Sequence, residues 1–240
     1  MRPLAALLLA AAAALPAAAQ ADADPPLVAA VKAHDAAAVK SLLASGAAVG
    51  AKDRYGWTAT MWAVGRADAG TVSALLAAGG DPGPAGFSPM IEAAKGGNAA
   101  VVALLAGRRW SCRAEDALGV SALSYASTLA STDTAKALLA CGADPNAADA
   151  HGTTPLMRAV QTGNPAAARL LLGAGAKPDL RDSQGYTALM WAARDGRADL
   201  VAALLGARAD PSLKALDGLT ARAIAERRGS AAAAALLPAP

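Results

Sequence analysis

Aromatic rings, histidines and cysteines are all scarce in this chain of 240 residues. One Phe, three Tyr and four Trp are fewer than a single globular core of this length ordinarily uses. Stacked helical units manage without them, because Ala and Leu fill the space between closely packed helices. The two histidines, His34 and His151, stand too far apart in the chain's organisation to build a Ser–His–Asp or Cys–His arrangement. Together with the two cysteines, Cys112 and Cys141, they show no ligand spacing and give no zinc site. The glycines fall at regularly spaced turns and form no phosphate-cradling loop. A surplus of one charge is missing as well. Against 22 Lys and Arg stand 19 Asp and Glu, interleaved along the chain, with only Arg108, Arg109 and Arg113 clustered. That balance argues against a nucleic-acid footprint. No metal or cofactor is expected.

Long apolar runs are absent too, once residues 1–21 are set aside. Met1-Arg2 is a minimal positive start, Leu4 to Leu15 is an unbroken Leu/Ala run, and Pro16 closes it. Ala17-Ala18-Ala19 and Ala19-Gln20-Ala21 then satisfy the small-residue cleavage rule. The run is shorter than the roughly 20 residues that span a bilayer. The pattern predicts a signal peptide over 1–21, cut after Ala21 or after Ala19. A periplasmic or secreted protein with no membrane span after signal removal follows, a retained amphipathic helix being the plainer alternative. No second Arg follows Arg2 and no Cys lies at the cut, which argues against twin-arginine and lipoprotein signals. Losing Arg2 leaves 21 positive against 19 negative residues, a net of +2.

What is present is a period. Asp116 to Gly142, Asp149 to Gly175 and Asp182 to Gly206 repeat one phrase every 33 residues. Each has an Asp, a Gly three residues on, a Ser or Thr, and a closing Leu pair: Leu138-Leu139, Leu171-Leu172, Leu204-Leu205. Such a period means supersecondary units that cannot bury their apolar faces alone. Aligned on the Gly before the hydroxyl residue, the register reads Gly56, Gly86, Gly119, Gly152, Gly185 and Gly218. The first interval alone is three residues short, within 79–84, where a loop tolerates deletion. Thr58, Ser88, Ser121, Thr154, Thr187 and Thr220 are predicted N-caps of short first helices. Thr154-Pro155 adds a Pro suited to the first helical position. A second helix carries each Leu pair, and Gly79, Gly142 or Gly175 ends it. Four methionines, Met61, Met90, Met157 and Met190, fall on first helices, where core packing explains them better than a soft-metal site.

This phrase resembles the ankyrin repeat, D-x-x-G-x-T-P-L-H-x-A-A-x-x-G closing in L-L-x-x-G-A-D-x-N. Asp149 to Ala159 is the best copy, and Ala143-Asp144-Pro145-Asn146 the best closing phrase. The resemblance extends over residues 26 to 237 and implies an all-α repeat solenoid. Its helix-turn-helix units would be joined by β-hairpin loops in one elongated domain. The expected organisation is an N-terminal cap over 22–52 and five repeats over 53–82, 83–115, 116–148, 149–181 and 182–214. A C-terminal cap follows over 215–240. The family's His is replaced by Met61, Ile91, Ser124, Met157 and Met190, so its hydrogen bond to the capping Thr is expected to be absent throughout. Thr60 stands where a Leu is expected.

In ankyrin proteins the concave first-helix face and the hairpin tips usually meet a partner. Here those positions read Arg54, Tyr55, Trp57, Trp62, Arg66, Phe87, Glu92, Tyr125, Arg158, Tyr186, Trp191 and Arg194. Seven of the eight aromatic residues fall on this one surface, and Trp, Tyr and Arg dominate binding hot spots. Trp62 and Trp191 could instead pack against neighbouring repeats. Cys112 and Cys141 fall in adjacent units near the ends of second helices. In an exported protein an even count favours a disulfide, the alternative being two separately buried small residues. The resemblance to exported bacterial ankyrin proteins implies a non-enzymatic scaffold for a protein or extended peptide. Stress-protection accessory and immunity factor are its narrower forms. An enzyme or metal carrier using the concave groove is the rival from another class. The partner and the oligomeric state are not legible.

Overall fold

A computed structural model describes residues 23–66, 68–81, 83, 88–108 and 110–239. The proposed signal peptide, the register glycine Gly86 and the candidate residue Phe87 lie outside the described residues. Where the register leads one to expect a single elongated domain, the chain divides into two compact units, residues 1–89 and 90–240. The division comes directly after the stretch in which the register is three residues short.

Unit 1 holds α1 (Pro26–Lys32), α2 (Ala36–Ala44), α3 (Ala59–Arg66) and α4 (Ala69–Ala77). Unit 2 begins with α5 (Pro89–Lys95, whose first residue closes unit 1), followed by α6 (Ala99–Ala106), α7 (Ala122–Ala126) and α8 (Asp133–Ala140). It continues with α9 (Pro155–Gln161), α10 (Pro165–Gly173), α11 (Ala188–Arg194) and α12 (Ala198–Gly206). The terminal pair is α13 (Ala221–Arg227) and α14 (Ala231–Leu236). Each first helix after α1, which starts on Pro25, follows a Ser or Thr. Ser121, Thr154, Thr187 and Thr220 accept from the amide three residues on, satisfying a donor that the helix itself cannot. Thr58 does the same for the Met61 amide. In one repeat the residue standing at the family's His position restores a bond to the cap. Ser121 Oγ lies 3.1 Å from Ser124 Oγ, so that hydrogen bond is not lost everywhere.

Within each unit first helices pack on first helices and second on second: α1 on α3 and α2 on α4, then α9 on α11 and α10 on α12. Two residue types decide the spacing. Ala63, Ala93, Ala126, Ala159, Ala192 and Ala225 occupy one register position and are fully buried, a site where anything larger would push the helices apart. The Leu at one register position of the second helices (Leu75, Leu105, Leu138, Leu171, Leu204) is also fully buried, each worth roughly 1.5–3 kcal/mol of burial. Thr60 takes a Leu position as a fully buried residue whose hydroxyl has no partner. Gly80 lies against it, where a Cβ would collide with that hydroxyl and with the Leu75 carbonyl.

The loops between repeats turn back on themselves, but too briefly to form strands among the described residues. Single antiparallel bridges link Lys52 to Thr58, Glu115 to Ser121 and Lys214 to Thr220. In unit 2 successive tips are tied by Ala150 N–H to Leu118 O, Ser183 N–H to His151 O and Leu216 N–H to Gln184 O, at 2.8–3.1 Å. Two glycines permit that approach. Gly152 and Gly185 have φ of +73° and +75°, and a Cβ on either would come within 2.9 Å of the next tip's backbone. The last repeat ends in a polar seal. Arg222, at a position held by Leu in the three repeats before it, donates to Glu226 and to the Leu237 carbonyl.

Cys112, in the turn after α6, is bonded to Cys141 at the end of α8, with Cα atoms 6.0 Å apart. Beside the bridge, Arg113 Nε donates to the Gly142 carbonyl at 3.0 Å. Closing a loop of 29 residues' separation is worth about 3–4 kcal/mol on the chain-entropy account. Urea denaturation with and without reductant should show a loss of that size, and thiol titration of the denatured, unreduced protein should find no free thiol.

Candidate functional site

The first Asp of the repeat phrase organises the hairpin tip. Asp53, Asp116, Asp149 and Asp182 each accept two tip amides on Oδ1, from the residues two and four positions on. The distances are 2.9–3.0 Å. In each case Oδ2 then accepts from a side chain nine residues on, in the first helix. Trp62 Nε1 donates to Asp53 at 2.9 Å, Tyr125 Oη to Asp116 at 2.7 Å, Arg158 to Asp149 at 2.8 Å and Trp191 Nε1 to Asp182 at 2.8 Å. One carboxylate thereby clamps the tip to the helix that follows. The chain contains its own control. Two repeats lack the Asp, with Gly83 and Ala215 in its place, and both also lack the donor, with Glu92 and Ile224 nine residues on. Ala215 and Ile224 make a buried apolar pair of positions instead, and Glu92 turns to Lys95 at 3.0 Å.

The carboxylates respond to these donors. Burial would raise the Asp53 carboxyl, but Lys32, the Trp57 and Tyr55 amides and the Trp62 indole hold it far below the usual carboxylate range. Asp116 is lowered chiefly by the Tyr125 phenol, against the opposing effect of burial. Asp149 is pushed up by burial, yet the Thr153 amide and Arg158 bring it below its ordinary value.

The candidate residues therefore divide their two ends. The polar edges of Trp62, Tyr125 and Trp191 point at carboxylates, while their half-buried rings carry cations on their faces. Arg66 stands 4.8 Å from the Trp62 ring centre and Arg194 4.7 Å from that of Trp191. Neither makes an ion pair among the described residues. Lys32 and Lys95, each ending the first helix of the preceding repeat, reach the Trp62 and Tyr125 rings at 4.5 and 4.8 Å. Trp57 tilts against Trp62 at 4.9 Å, and Tyr186 against Trp191 at 5.3 Å. Arg54 lies over the ring of Tyr55, which is 62% exposed at the tip. Arg158 is held in its ion pair, with its Nε buried and unpartnered. Glu92 is neutralised by Lys95.

Lys32 is the residue that sequence reading missed. It bridges Asp24 at 2.8 Å and Asp53 at 2.9 Å from the cap. The 30-residue interval from Lys32 to Trp62 recurs from Lys95 to Tyr125 and could have revealed it. On the opposite side, Lys136, Leu139, Arg169, Leu170, Gly173 and Ala174 line an open groove between α8 and α10.

Tyr125→Phe keeps the ring and removes one donor to Asp116. The half-buried carboxylate puts the expected loss at neutral pH near the low end for a charged hydrogen bond, about 1 kcal/mol. Asp116 is depressed in the folded state, so its contribution is complete above the unfolded value near 3.9 and fades as pH falls. The gap between variant and native should narrow from pH 7 to pH 3 in paired urea titrations. An unchanged gap would mean the phenol contributes through packing alone.

Comparison with protein families matches the ankyrin-repeat model (three copies) to residues 66–149 and 123–215, more than half of the chain. Comparison with curated proteins gives no match.

Proposed function

The chain belongs to the ankyrin-repeat family, and from that premise we propose that it is a non-enzymatic protein-binding scaffold exported from a bacterial cytoplasm to the periplasm or beyond. Ankyrin repeats generally mediate protein–protein binding. The observation that carries the reading is the division of each clamp side chain. Its donor edge is spent on a carboxylate, so the ring is held rigid, and its face with the cation above it is what a partner can touch. Rigid aromatic and Arg side chains lose little conformational freedom on binding, the property that makes hot spots of them. The partner would be a protein or an extended peptide lying along the first-helix face and the tips. Export is supported by the charge, apolar run and small residues of 1–21, and by a disulfide, which an oxidising compartment sustains.

The clamp changes which substitution is informative. Removing Trp191 would also strip a donor from Asp182, so lost affinity could follow from a loosened tip. Arg194→Ala leaves the clamp intact. With the protein immobilised and exposed to periplasmic extract, Arg194→Ala should weaken capture of the bound protein by at least about 2 kcal/mol. Lys136→Ala and Arg169→Ala on the outer groove should change it by less than about 0.5 kcal/mol. The reverse pattern, with unchanged melting curves, would move the partner to the second-helix side. Amino-terminal sequencing of the exported protein should begin at residue 22 or 20; a chain still starting at Met1 would refute export with cleavage.

A further inference from the structure

The second helices of unit 2 are not evenly spaced. α6 packs on α8, α10 on α12 and α12 on α14. Between them α8 and α10 are less closely packed, although the first helices of the same two repeats, α7 and α9, lie against each other. The gap is the groove lined by Lys136, Leu139, Arg169, Leu170, Gly173 and Ala174. Leu139 and Leu170 are only half-buried in it, and a Cβ on Gly173 would meet nothing within 4 Å. The charges around the groove decide what fits it. Asp133, Lys136, Arg169 and Asp199 are the charged residues of α6, α8, α10, α12 and α14. Two are of each sign, and all four are exposed. Asp133 and Lys136 pair along α8 at 3.1 Å with more than half of each side chain in solvent, a contact too open to commit either charge. Arg169 and Asp199 make no ion pair among the described residues.

A partner of one sign would set two of these four charges against their like, and so would the phosphates of an anionic lipid surface. A second copy of the same face brings a carboxylate for every cation. We propose that the groove is the contact face of a homodimer. With the two-fold axis running along the groove, α8 of each copy lies opposite α10 of the other. Such an axis keeps each residue at its own level along the helices. Position 133 is equivalent to 166 in the 33-residue period, so Asp133 stands three residues, about 4.5 Å, before the level of Arg169. Helix side chains lean toward the N-terminus, which carries Arg169 of one copy toward Asp133 of the other. The symmetry makes that pair twice. Leu139 and Leu170 of both copies then close over the gap, and Gly173 lets the backbones approach. Helices of eight and nine residues are only about 12–13 Å long. The contact is therefore small beside the roughly 800 Å² per partner of a standard interface. The dimer is accordingly reversible, with a dissociation constant in the micromolar range. The first-helix faces lie on the opposite side and stay free, so the dimer presents two of them. The contact itself does not rest on the scaffold reading.

The test is sedimentation velocity of the purified protein from about 1 to 300 µM, where the average mass should rise from one chain toward two. Gly173→Gln is the decisive variant. The new side chain has open space in the single chain and suits a helix better than Gly, so its melting temperature at low concentration should be no lower than native. It fills the groove, however, and should weaken dimerisation at least about tenfold. Arg169→Glu and Asp133→Arg should each weaken it about tenfold, and the two together should recover most of the loss, because the pair is then reversed across the two-fold. A single chain's mass at every concentration would overturn the proposal. A dimer indifferent to Gly173→Gln would overturn it too, as would charge variants whose combination recovers nothing, since the contact would then lie on another face.

Discussion

One carboxylate, repeated, holds the tips to the helices. A hairpin tip of this length has two amides that no strand partner satisfies, because among the described residues the hairpins close on at most a single bridge. An unpaired buried amide costs as much as a lost hydrogen bond, so the tip is stable only if something accepts from both. Oδ1 of Asp53, Asp116, Asp149 or Asp182 does this. That leaves Oδ2, a charged oxygen facing the first helix, in need of its own donor. The side chain nine residues on supplies it. The identity of the donor is loose, since an indole, a phenol and a guanidinium all serve. Its presence is tied to the Asp.

That coupling explains why the surface is aromatic in a chain so poor in rings. The donor must reach across from the helix, and Trp, Tyr and Arg carry an N–H or O–H at the end of a long, mostly apolar body. Selecting them for the clamp leaves their half-buried bodies on the first-helix face. Cations then settle on the rings: from the same helix for Arg66 and Arg194, from the preceding repeat for Lys32 and Lys95. A residue that steadies a turn thus also contributes to the surface we propose for binding. On that proposal, stability and recognition draw on opposite ends of one side chain.

Much of the fold was legible because it obeys periods. The 33-residue register, the capping hydroxyls, the Leu pairs and the closely packed Ala position all follow from helical repetition and steric fit, and the helices lie where those signals put them. The clamp was not legible in the same way. Nine residues match neither the helical nor the strand period, since the interval runs through a tip and into a helix start. It shows in sequence only as two positions changing together, Asp with a donor in four repeats, Gly83 with Glu92 and Ala215 with Ile224 in two. The candidate aromatics were therefore found while the task of their polar edges was not. Lys32 escaped for a related reason: its partners lie across a repeat boundary, and only the 30-residue interval that recurs from Lys95 to Tyr125 points there. Ser124 shows the converse. A loss expected from the missing His is made good by a hydroxyl that bonds the cap directly.

The positions that break the pattern are as informative as those that keep it. Thr60 with Gly80 replaces Leu with Ala, leaving a buried hydroxyl without a partner, so the repeat that bears the densest aromatic–cation cluster is also the one with the least consistent core. Local conflict of this kind is tolerated where a surface is under a second demand. Lys32 offsets part of it. By joining Asp24 and Asp53 and lying on Trp62, it ties the cap to the first full repeat through charge, where apolar packing is thinned by Thr60. On the ring of Trp62 that the lysine also touches lies Arg66, which is exposed and makes no ion pair among the described residues. Core defect, compensating ion bridge and exposed guanidinium form one chain of consequences within a single unit.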